Sequence, residues 1–313
     1  MLFLVTGGAG FIGSHLVDRL LARGHRVRVL DDLSTGKREN LREEAEFIQG
    51  SALDNALLQQ LIPGCAGVFH LAARVAVQDC IDRWECGHQD NLVATMRIMA
   101  MAAEQGGVPV VYASSAAVYG ERSNEICAEH LRELPISPYG ADKLGCEHQA
   151  RAFLATRGLS SVGLRFFNVY GPRQDPSSPY AGVISRFTAN RLMGRNHTVF
   201  GDGLQTRDFI NVADVVTGLT SAMDMAQREQ VAEVFNICTG HSTSLLDLIG
   251  ALDDANPAAG RSVVDHAPAR SGDIQHSLGC PKRMNQQLEV VAAVTLYDGL
   301  AELLEWAREA RPA

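Results

Sequence analysis

Tyr139 and Lys143 stand four residues apart in Ser137-Pro138-Tyr139-Gly140-Ala141-Asp142-Lys143, the spacing that puts two side chains on one face of a helix. A phenol and an ammonium on one face can serve one reacting centre. A tyrosine phenol ordinarily titrates near ~10 and is a poor base at neutral pH unless a neighbouring positive charge stabilises the phenolate. Lys143 supplies such a charge. Any Tyr and Lys can fall at this spacing, but the chain has only three lysines, Lys37, Lys143 and Lys282, against 25 arginines. A lysine kept where arginine is the habit points to a task for a compact, rotatable ammonium rather than a planar fork.

Chemistry at such a pair needs elements that position it and a partner that accepts what is removed. At the N-terminus the apolar run Leu2–Thr6 stops at Gly7-Gly8-Ala9-Gly10-Phe11-Ile12-Gly13, after which Leu16, Val17, Leu20 and Leu21 recur at helical spacing. Residues 25–31 read as a second strand, which completes a βαβ unit. The glycines allow a tight turn, close approach of backbone amides to a pyrophosphate, and close helix–strand packing, with the phosphates at the helix's positive end. Asp31, 18 residues beyond Gly13, is placed to accept hydrogen bonds from an adenosine ribose, and its charge repels a 2′-phosphate. Strand, helix and acid agree on a dinucleotide site, for NAD rather than NADP.

Further βα units are expected at residues 45–48 with a helix from Asp54, 67–71 with a helix over 90–103, 108–113 with the Tyr139 helix running to 155, and 162–167. This alternation predicts an α/β fold, a Rossmann-type doubly wound parallel sheet with helices on both faces. Ser114-Ser115 then ends the fifth strand, where a hydroxyl reaches the crevice that Tyr139 faces. Gly171-Pro172-Arg173 and Asp175-Pro176-Ser177-Ser178-Pro179 break the pattern. We therefore divide the chain into an NAD-binding domain, 1–167, and a smaller C-terminal α/β substrate lobe, 168–313, with some later segments returning to the first. Helices are expected over 181–192, after Asn211 with Asp214 as an Asx-type capping pair, after Ser244, and over 295–308 with Thr295 as N-cap. Arg207 and Arg270 fall in loops, and arginine is the natural partner of a diphosphate.

With 313 residues the chain can bury a large core, and a net charge of −8 with pI ≈ 5.7 argues against a nucleic-acid or anionic-membrane binder. Residues 1–5 are too short for a signal peptide and no window approaches ~20 apolar residues, so a cytoplasmic protein is expected. The seven cysteines are odd in number and scattered, unlike a disulfide framework or zinc site; Cys80, Cys86 and His88 come nearest to a ligand cluster, and no metal is expected.

These blocks resemble the extended short-chain dehydrogenase/reductase family, and within it the nucleotide-sugar epimerases. The resemblance runs over almost the whole chain. It also rests on Asp31-Asp32-Leu33-Ser34-Thr35-Gly36, His70-Leu71-Ala72-Ala73, and Ser114-Ser115-Ala116-Ala117-Val118-Tyr119-Gly120. Arg165-Phe166-Phe167-Asn168-Val169-Tyr170-Gly171-Pro172-Arg173, Phe200-Gly201-Asp202-Gly203 and Thr206-Arg207-Asp208-Phe209 continue it. The resemblance implies a catalytic trio of Ser115, Tyr139 and Lys143. It implies NAD held by Gly7, Gly10, Phe11, Ile12, Gly13, Asp31, Asp32, Ser34, Thr35, Gly36, Ser51, Ala52, Leu71, Ala72, Ala73 and Phe166, together with Tyr139 and Lys143. It implies a UDP-sugar held by Ser115, Phe167, Asn168, Val183, Val199, Arg207, Arg270, Asp273 and Ser277, and a homodimer formed by the 90–103 and Tyr139 helices. The chain departs from its relatives at Gly50-Ser51-Ala52, where an Asp usually holds the adenine amine, at Ala94, and at Gly279-Cys280-Pro281-Lys282.

Related dehydratases and decarboxylases tend to carry Asp or Glu after the catalytic serine; Ala116 and Ala117 supply neither. What the resemblance leaves is reversible oxidation of the sugar at C4, with NAD retained and regenerated. Similar enzymes close the pocket to N-acetyl groups with a Tyr where this chain has Ser277, so interconversion of UDP-N-acetylglucosamine and UDP-N-acetylgalactosamine is expected, with UDP-glucose and UDP-galactose as further substrates. The alternatives are an epimerase for UDP-glucose only or UDP-glucuronate, an NAD-dependent reductase releasing a keto product, and a silent dinucleotide-binding regulator.

Overall fold

The computed structural model describes residues 1–122, 125–175, 182–269 and 274–309. β1 (Leu2–Thr6) is apolar throughout, as a strand covered on both faces requires. It leads through the glycine turn into α1 (Phe11–Ala22), then β2 (Arg26–Asp31), β3 (Glu46–Gln49), α2 (Asn55–Leu61) and β4 (Gly67–His70). α2 starts where the Asp54 carboxylate accepts from the amides of Ala56 and Leu57. After β4 the chain is helical earlier than expected. α3 (Val77–Asp82) and α4 (Trp84–His88) precede a single π turn over Gln89–Val93 and α5 (Ala94–Glu104). The apolar residues of α3 and α4 show no buried stripe: Val77, Ile81 and Trp84 are all exposed, so hydrophobic periodicity could not announce these helices.

β5 (Val110–Ser115), α6 (Pro138–Arg157) and β6 (Ser161–Phe166) complete the first half. β7 (Asn168–Tyr170), α7 (Val183–Leu192), β8 (His197–Phe200), β9 (Thr206–Arg207) and β10 (Phe209–Asn211) begin the second. α8 (Val212–Arg228), β11 (Ala232–Ile237), β12 (Thr243–Ser244) and α9 (Leu245–Ala255) follow. β13 (Val264–Ala267), β14 (His276–Ser277), α10 (Lys282–Gln287) and α11 (Leu296–Glu309) close the described chain.

Seven parallel strands form one sheet in the order β11-β6-β5-β4-β1-β2-β3. The chain winds outward from β1 to β3, then returns to β4 on the other side of β1. The carboxyl ends of β1 and β4 therefore flank the point where strand order reverses, which is where such sheets leave a ligand crevice. One face is covered by α1 and α8, with Leu16, Val17, Val215 and Leu219 packed among Val5, Val29 and Phe69. The other is covered by α2, α5 and α6 through Leu58, Ile98, Met99 and Ala150 against Leu4, Val68 and Val110. A third core, with Phe187, Val199, Leu248, Leu300 and Leu304, belongs to the smaller lobe. β11 and α8 come from the second half yet serve the large sheet.

Asn211 caps α8 by accepting from the Ala213 amide at 2.8 Å, and Thr295 caps α11 by accepting from the Asp298 amide at 3.2 Å. Asp214, expected to share the cap of α8, does something else. Its buried carboxylate accepts from the amides of Ala293 and Val294 at 3.0 and 3.1 Å, and so ties the approach to α11 onto α8.

Candidate active site

α6 begins at Pro138, which needs no amide partner in a first turn, and the Ser137 hydroxyl accepts from the Gly140 amide at 3.1 Å. The helix then carries Tyr139 and Lys143 on one face, with the Lys143 Nζ 5.7 Å from the Tyr139 ring centre. Lys143 is 2% exposed and donates to the Ala113 carbonyl at 2.9 Å, which anchors it to β5 two residues before Ser115. Ser115 ends β5 and caps the short 3₁₀ turn Ala116–Tyr119 by accepting from the Ala117 amide at 3.2 Å. A Cβ at Gly140 would lie 2.6 Å from the Ala117 carbonyl oxygen, so only glycine lets this turn rest on the first turn of α6. That contact sets the turn capped by Ser115 against the first turn of α6, which carries Tyr139.

Beneath them lies a buried charge network that sequence reasoning did not find. One helical turn past Lys143, Glu147 accepts from the Ser114 hydroxyl at 2.6 Å and from Arg165 Nε and Nη2 at 2.9 and 2.6 Å. Arg165 Nη2 also meets Glu133 at 2.6 Å, and its guanidinium lies 4.8 Å from the Tyr119 ring centre. Ser114 and Arg165 are register partners across β5 and β6, so one carboxylate joins two strands to α6. The available signal was an arginine in the middle of a strand covered on both faces.

The cofactor crevice is made by backbone. A Cβ on Gly13 would overlap the Gly7 carbonyl oxygen, and one on Gly7 would lie 2.5 Å from the Ala72 amide nitrogen, so the glycine turn and the 71–73 segment touch. Gly10 caps α1 without a side-chain hydrogen bond, which leaves the first-turn amides for an anion. Phe11 and Ile12 are half-buried on that turn. Asp31 accepts from the amides of Ala9 and Leu33, both at 2.9 Å; burial pushes its carboxyl up and these donors oppose that. Lys37 N and the Asn40 side chain donate to the Ala9 carbonyl at 3.0 and 2.9 Å, so the loop is held from both sides. Gly36 lies against the Asp31 carboxylate, Asp32 accepts from the Ser34 amide, and Thr35 is exposed. Ser51 accepts from the Leu53 amide, Ala52 packs on the core, and Phe166 is half-buried at the end of β6. Leu71 N donates to the Thr6 carbonyl and Ala72 N to the Thr6 hydroxyl, with Ala73 next in line. Open amides at a helix N-terminus, glycines against backbone and an acid at the end of β2 fit a dinucleotide diphosphate and its ribose.

On the substrate side, Phe167 is buried with Val118, Tyr119 and Cys238, and Asn168 is exposed at the start of β7. Val183 is half-buried at the first position of α7, while Val199 is 1% exposed inside the small-lobe core. Arg207 and Ser277, 70 residues apart in the chain, are register partners across β9 and β14. Arg270 and Asp273 lie outside the described residues. His88, expected at most as part of a metal cluster, pairs with Asp142 at 2.8 Å.

Among the described residues no helix is long and apolar enough to cross a membrane. The profile of the NAD dependent epimerase/dehydratase family matches residues 3–238. The chain is 37% identical over 314 residues to a UDP-glucose 4-epimerase of Mycolicibacterium smegmatis, covering 97% of this chain and 98% of that one. Among solved structures it is similar to a UDP-N-acetylglucosamine 4-epimerase from Methanobrevibacter ruminantium, in complex with UDP-N-acetylmuramic acid (33% identity, TM-score 0.92, covering 99% and 98%). It is equally similar to a Thermotoga maritima UDP-glucose 4-epimerase with UDP-glucose (35% identity, TM-score 0.92, 99% of each chain). The chain belongs to the NAD-dependent epimerase/dehydratase family, as a nucleotide-sugar epimerase of the extended short-chain dehydrogenase/reductase type that uses NAD.

Proposed function

We propose that this protein is a UDP-sugar 4-epimerase that interconverts UDP-N-acetylglucosamine and UDP-N-acetylgalactosamine, and accepts UDP-glucose and UDP-galactose as well. The observation that carries the acetylated preference is the pairing of Ser277 with Arg207. With Arg207 on the diphosphate, the neighbouring strand presents a small side chain towards the sugar, which leaves room for an N-acetyl group. Similarity to a UDP-N-acetylglucosamine 4-epimerase and to a UDP-glucose 4-epimerase supports both substrate classes.

Tyr139 acts as the base that takes the proton from the sugar 4-hydroxyl and later returns it. Lys143, fixed on the Ala113 carbonyl, favours the phenolate electrostatically, and Ser115 hydrogen-bonds the same oxygen of the substrate. When bound, NAD supplies reversible two-electron oxidation at that carbon. The 4-keto sugar turns about its diphosphate linkage while Arg207, Asn168 and, outside the described residues, Arg270 keep the nucleotide in place. Ala116 and Ala117 offer no acid or base for elimination. Seven free cysteines suit a reducing compartment, so we place the enzyme in the cytoplasm, as a homodimer joined through α5 and α6.

Purified protein, with no NAD added, is incubated with UDP-N-acetylglucosamine and UDP-glucose in parallel and followed by NMR. The expected products are both 4-epimers, faster from the acetylated sugar. Accumulation of a keto sugar with stoichiometric NADH would overturn the epimerase reading in favour of a reductase. Turnover of UDP-glucose alone would overturn the substrate reading.

A further inference from the structure

Asp208 lies between β9 and β10 and is fully buried. Its carboxylate takes four hydrogen bonds: Oδ1 accepts from Thr239 N at 2.8 Å and Thr239 Oγ1 at 2.7 Å, and Oδ2 from Gly240 N at 2.9 Å and Gly279 N at 3.2 Å. Its carbonyl accepts from the Asn168 amide at 3.0 Å. What offsets the buried charge is this ring of dipoles, aimed inward from separate parts of the chain.

The donors belong to segments that matter. Thr239 and Gly240 follow the end of β11, the edge strand of the cofactor sheet. Gly279 stands two residues past Ser277, and it has no room to shift, since a Cβ there would lie 2.5 Å from Cys238 Sγ and 2.9 Å from Phe167 Cζ. Asn168 opens β7, and Arg207 is the residue before Asp208. The side chain of this one residue thus joins the end of the cofactor sheet to the segment that carries Ser277, and its main chain carries Arg207 next to it and holds the start of β7 at Asn168.

We propose that Asp208 is a positioning residue of the nucleotide-sugar site, locking Arg207, Ser277 and Asn168 in register against the end of the cofactor sheet without touching the substrate. This rests on the reading that Arg207 holds the diphosphate. An asparagine of the same shape must turn its amide N–H toward a backbone N–H donor at one of its two positions, so at least the Thr239 amide bond is lost and the joint loosens. The cost falls on nucleotide binding. Most of the residues that would hold NAD stand in and after β1, β2 and β4, and Tyr139 and Lys143 are held by β5 and α6, so neither rests on the carboxylate of Asp208.

The test compares wild type with Arg207→Ala, Asp208→Asn, Thr239→Val and Thr239→Ser. The readouts are UDP affinity by calorimetry, NAD content by absorbance after denaturation, and kcat and KM for UDP-N-acetylglucosamine. A lost hydrogen bond to a charged group corresponds to about 10- to 100-fold in affinity. Asp208→Asn is expected to weaken UDP about 30-fold and raise KM with it, with NAD content unchanged and kcat within about threefold. Thr239→Val is expected to weaken UDP about fivefold, and Thr239→Ser to restore wild-type affinity. If Asp208→Asn does not fold, the Thr239 pair decides: weakening by Val with recovery by Ser supports the proposal, and wild-type affinity in both overturns it. Wild-type UDP affinity in Arg207→Ala would show that the diphosphate reading itself is wrong. Weakened binding in Arg207→Ala together with wild-type affinity in Asp208→Asn and Thr239→Val would overturn the proposal and leave that reading intact.

Discussion

The cofactor half and the substrate half are held together by different means. Around the glycine turn, backbone meets backbone, with Gly7 against Ala72, Gly13 against Gly7 and the Lys37 amide on the Ala9 carbonyl, and the side chains of Asp31 and Asn40 secure Ala9 on either side. In the second half, short strands of two or three residues are fastened by a buried side chain, with Asp208 gathering amides from Thr239, Gly240 and Gly279. A site made of backbone must show in a contiguous motif, because only glycine fits. A site made of distant side chains need not.

The proposed catalytic set, Ser115, Tyr139 and Lys143, stands where α6 is tied to β5, and breaking this seam is expected to give the largest effect. Tyr139→Phe keeps the ring and removes the proton acceptor, so turnover should fall by about 10³-fold or more while the protein still purifies with NAD. Near-normal rate in a folded, NAD-bound mutant would remove Tyr139 from the chemistry.

Next in size is Gly13→Ala, which attacks the backbone-made half. Its Cβ has no space against the Gly7 carbonyl, so the turn and α1 must separate. We expect most bound NAD to be lost on purification and activity to drop about 100-fold, partly restored by excess NAD. Full NAD content would show that the loop tolerates what the packing forbids. The matching probe of the side-chain-made half is Ser277→Tyr. A phenol beside Arg207 should cost about 10- to 100-fold on UDP-N-acetylglucosamine and only a fewfold on UDP-glucose, read as the ratio of kcat/KM values. Equal loss on both sugars would locate the acetyl pocket elsewhere.

This contrast also accounts for what could be read in advance. The first six strands, the glycine turn, Asp31 and the spacing of Tyr139 and Lys143 follow from local pattern, since each element carries its own apolar run and punctuation, whereas joining Ser115 to that pair as a set is what the family resemblance implies. The fifth strand, expected over 108–113 with Ser114 and Ser115 at its end, runs from Val110 to Ser115 and takes in both serines. The return of β11 to the large sheet leaves no such mark, because an apolar strand reads alike in either lobe. Nor does any local signal join Glu147 to Arg165, or Ser277 to Arg207, since those partnerships exist only once the sheet register is set.

His70 gives the smallest effect, and the one that most sharply tests how the seam is wired. The Thr95 hydroxyl spends its proton on the Asn91 carbonyl at 2.6 Å, so its oxygen accepts from His70 Nε2 at 3.0 Å. Nδ1 must then be the acceptor, taking the Thr6 hydroxyl proton at 2.7 Å. Both roles are met only by a neutral ring. Burial, with the Lys143 charge adding to it, pushes the His70 pKa down to about 3, against an ordinary value of 6.5. Between those values the unfolded chain binds a proton that the native state refuses, so stability falls as pH drops below 6.5 and this contribution stops changing below about 3. The slope from this one group approaches about 1.4 kcal/mol per pH unit. Urea unfolding at pH 7 and pH 5 should therefore show wild type losing about 2 kcal/mol more than His70→Gln, whose amide can still donate to Thr95 but does not titrate. Equal losses in the two proteins would mean that the ring accepts its proton in place, and that the hydrogen-bond directions at the ends of β1 and β4 are not held as the hydroxyls dictate.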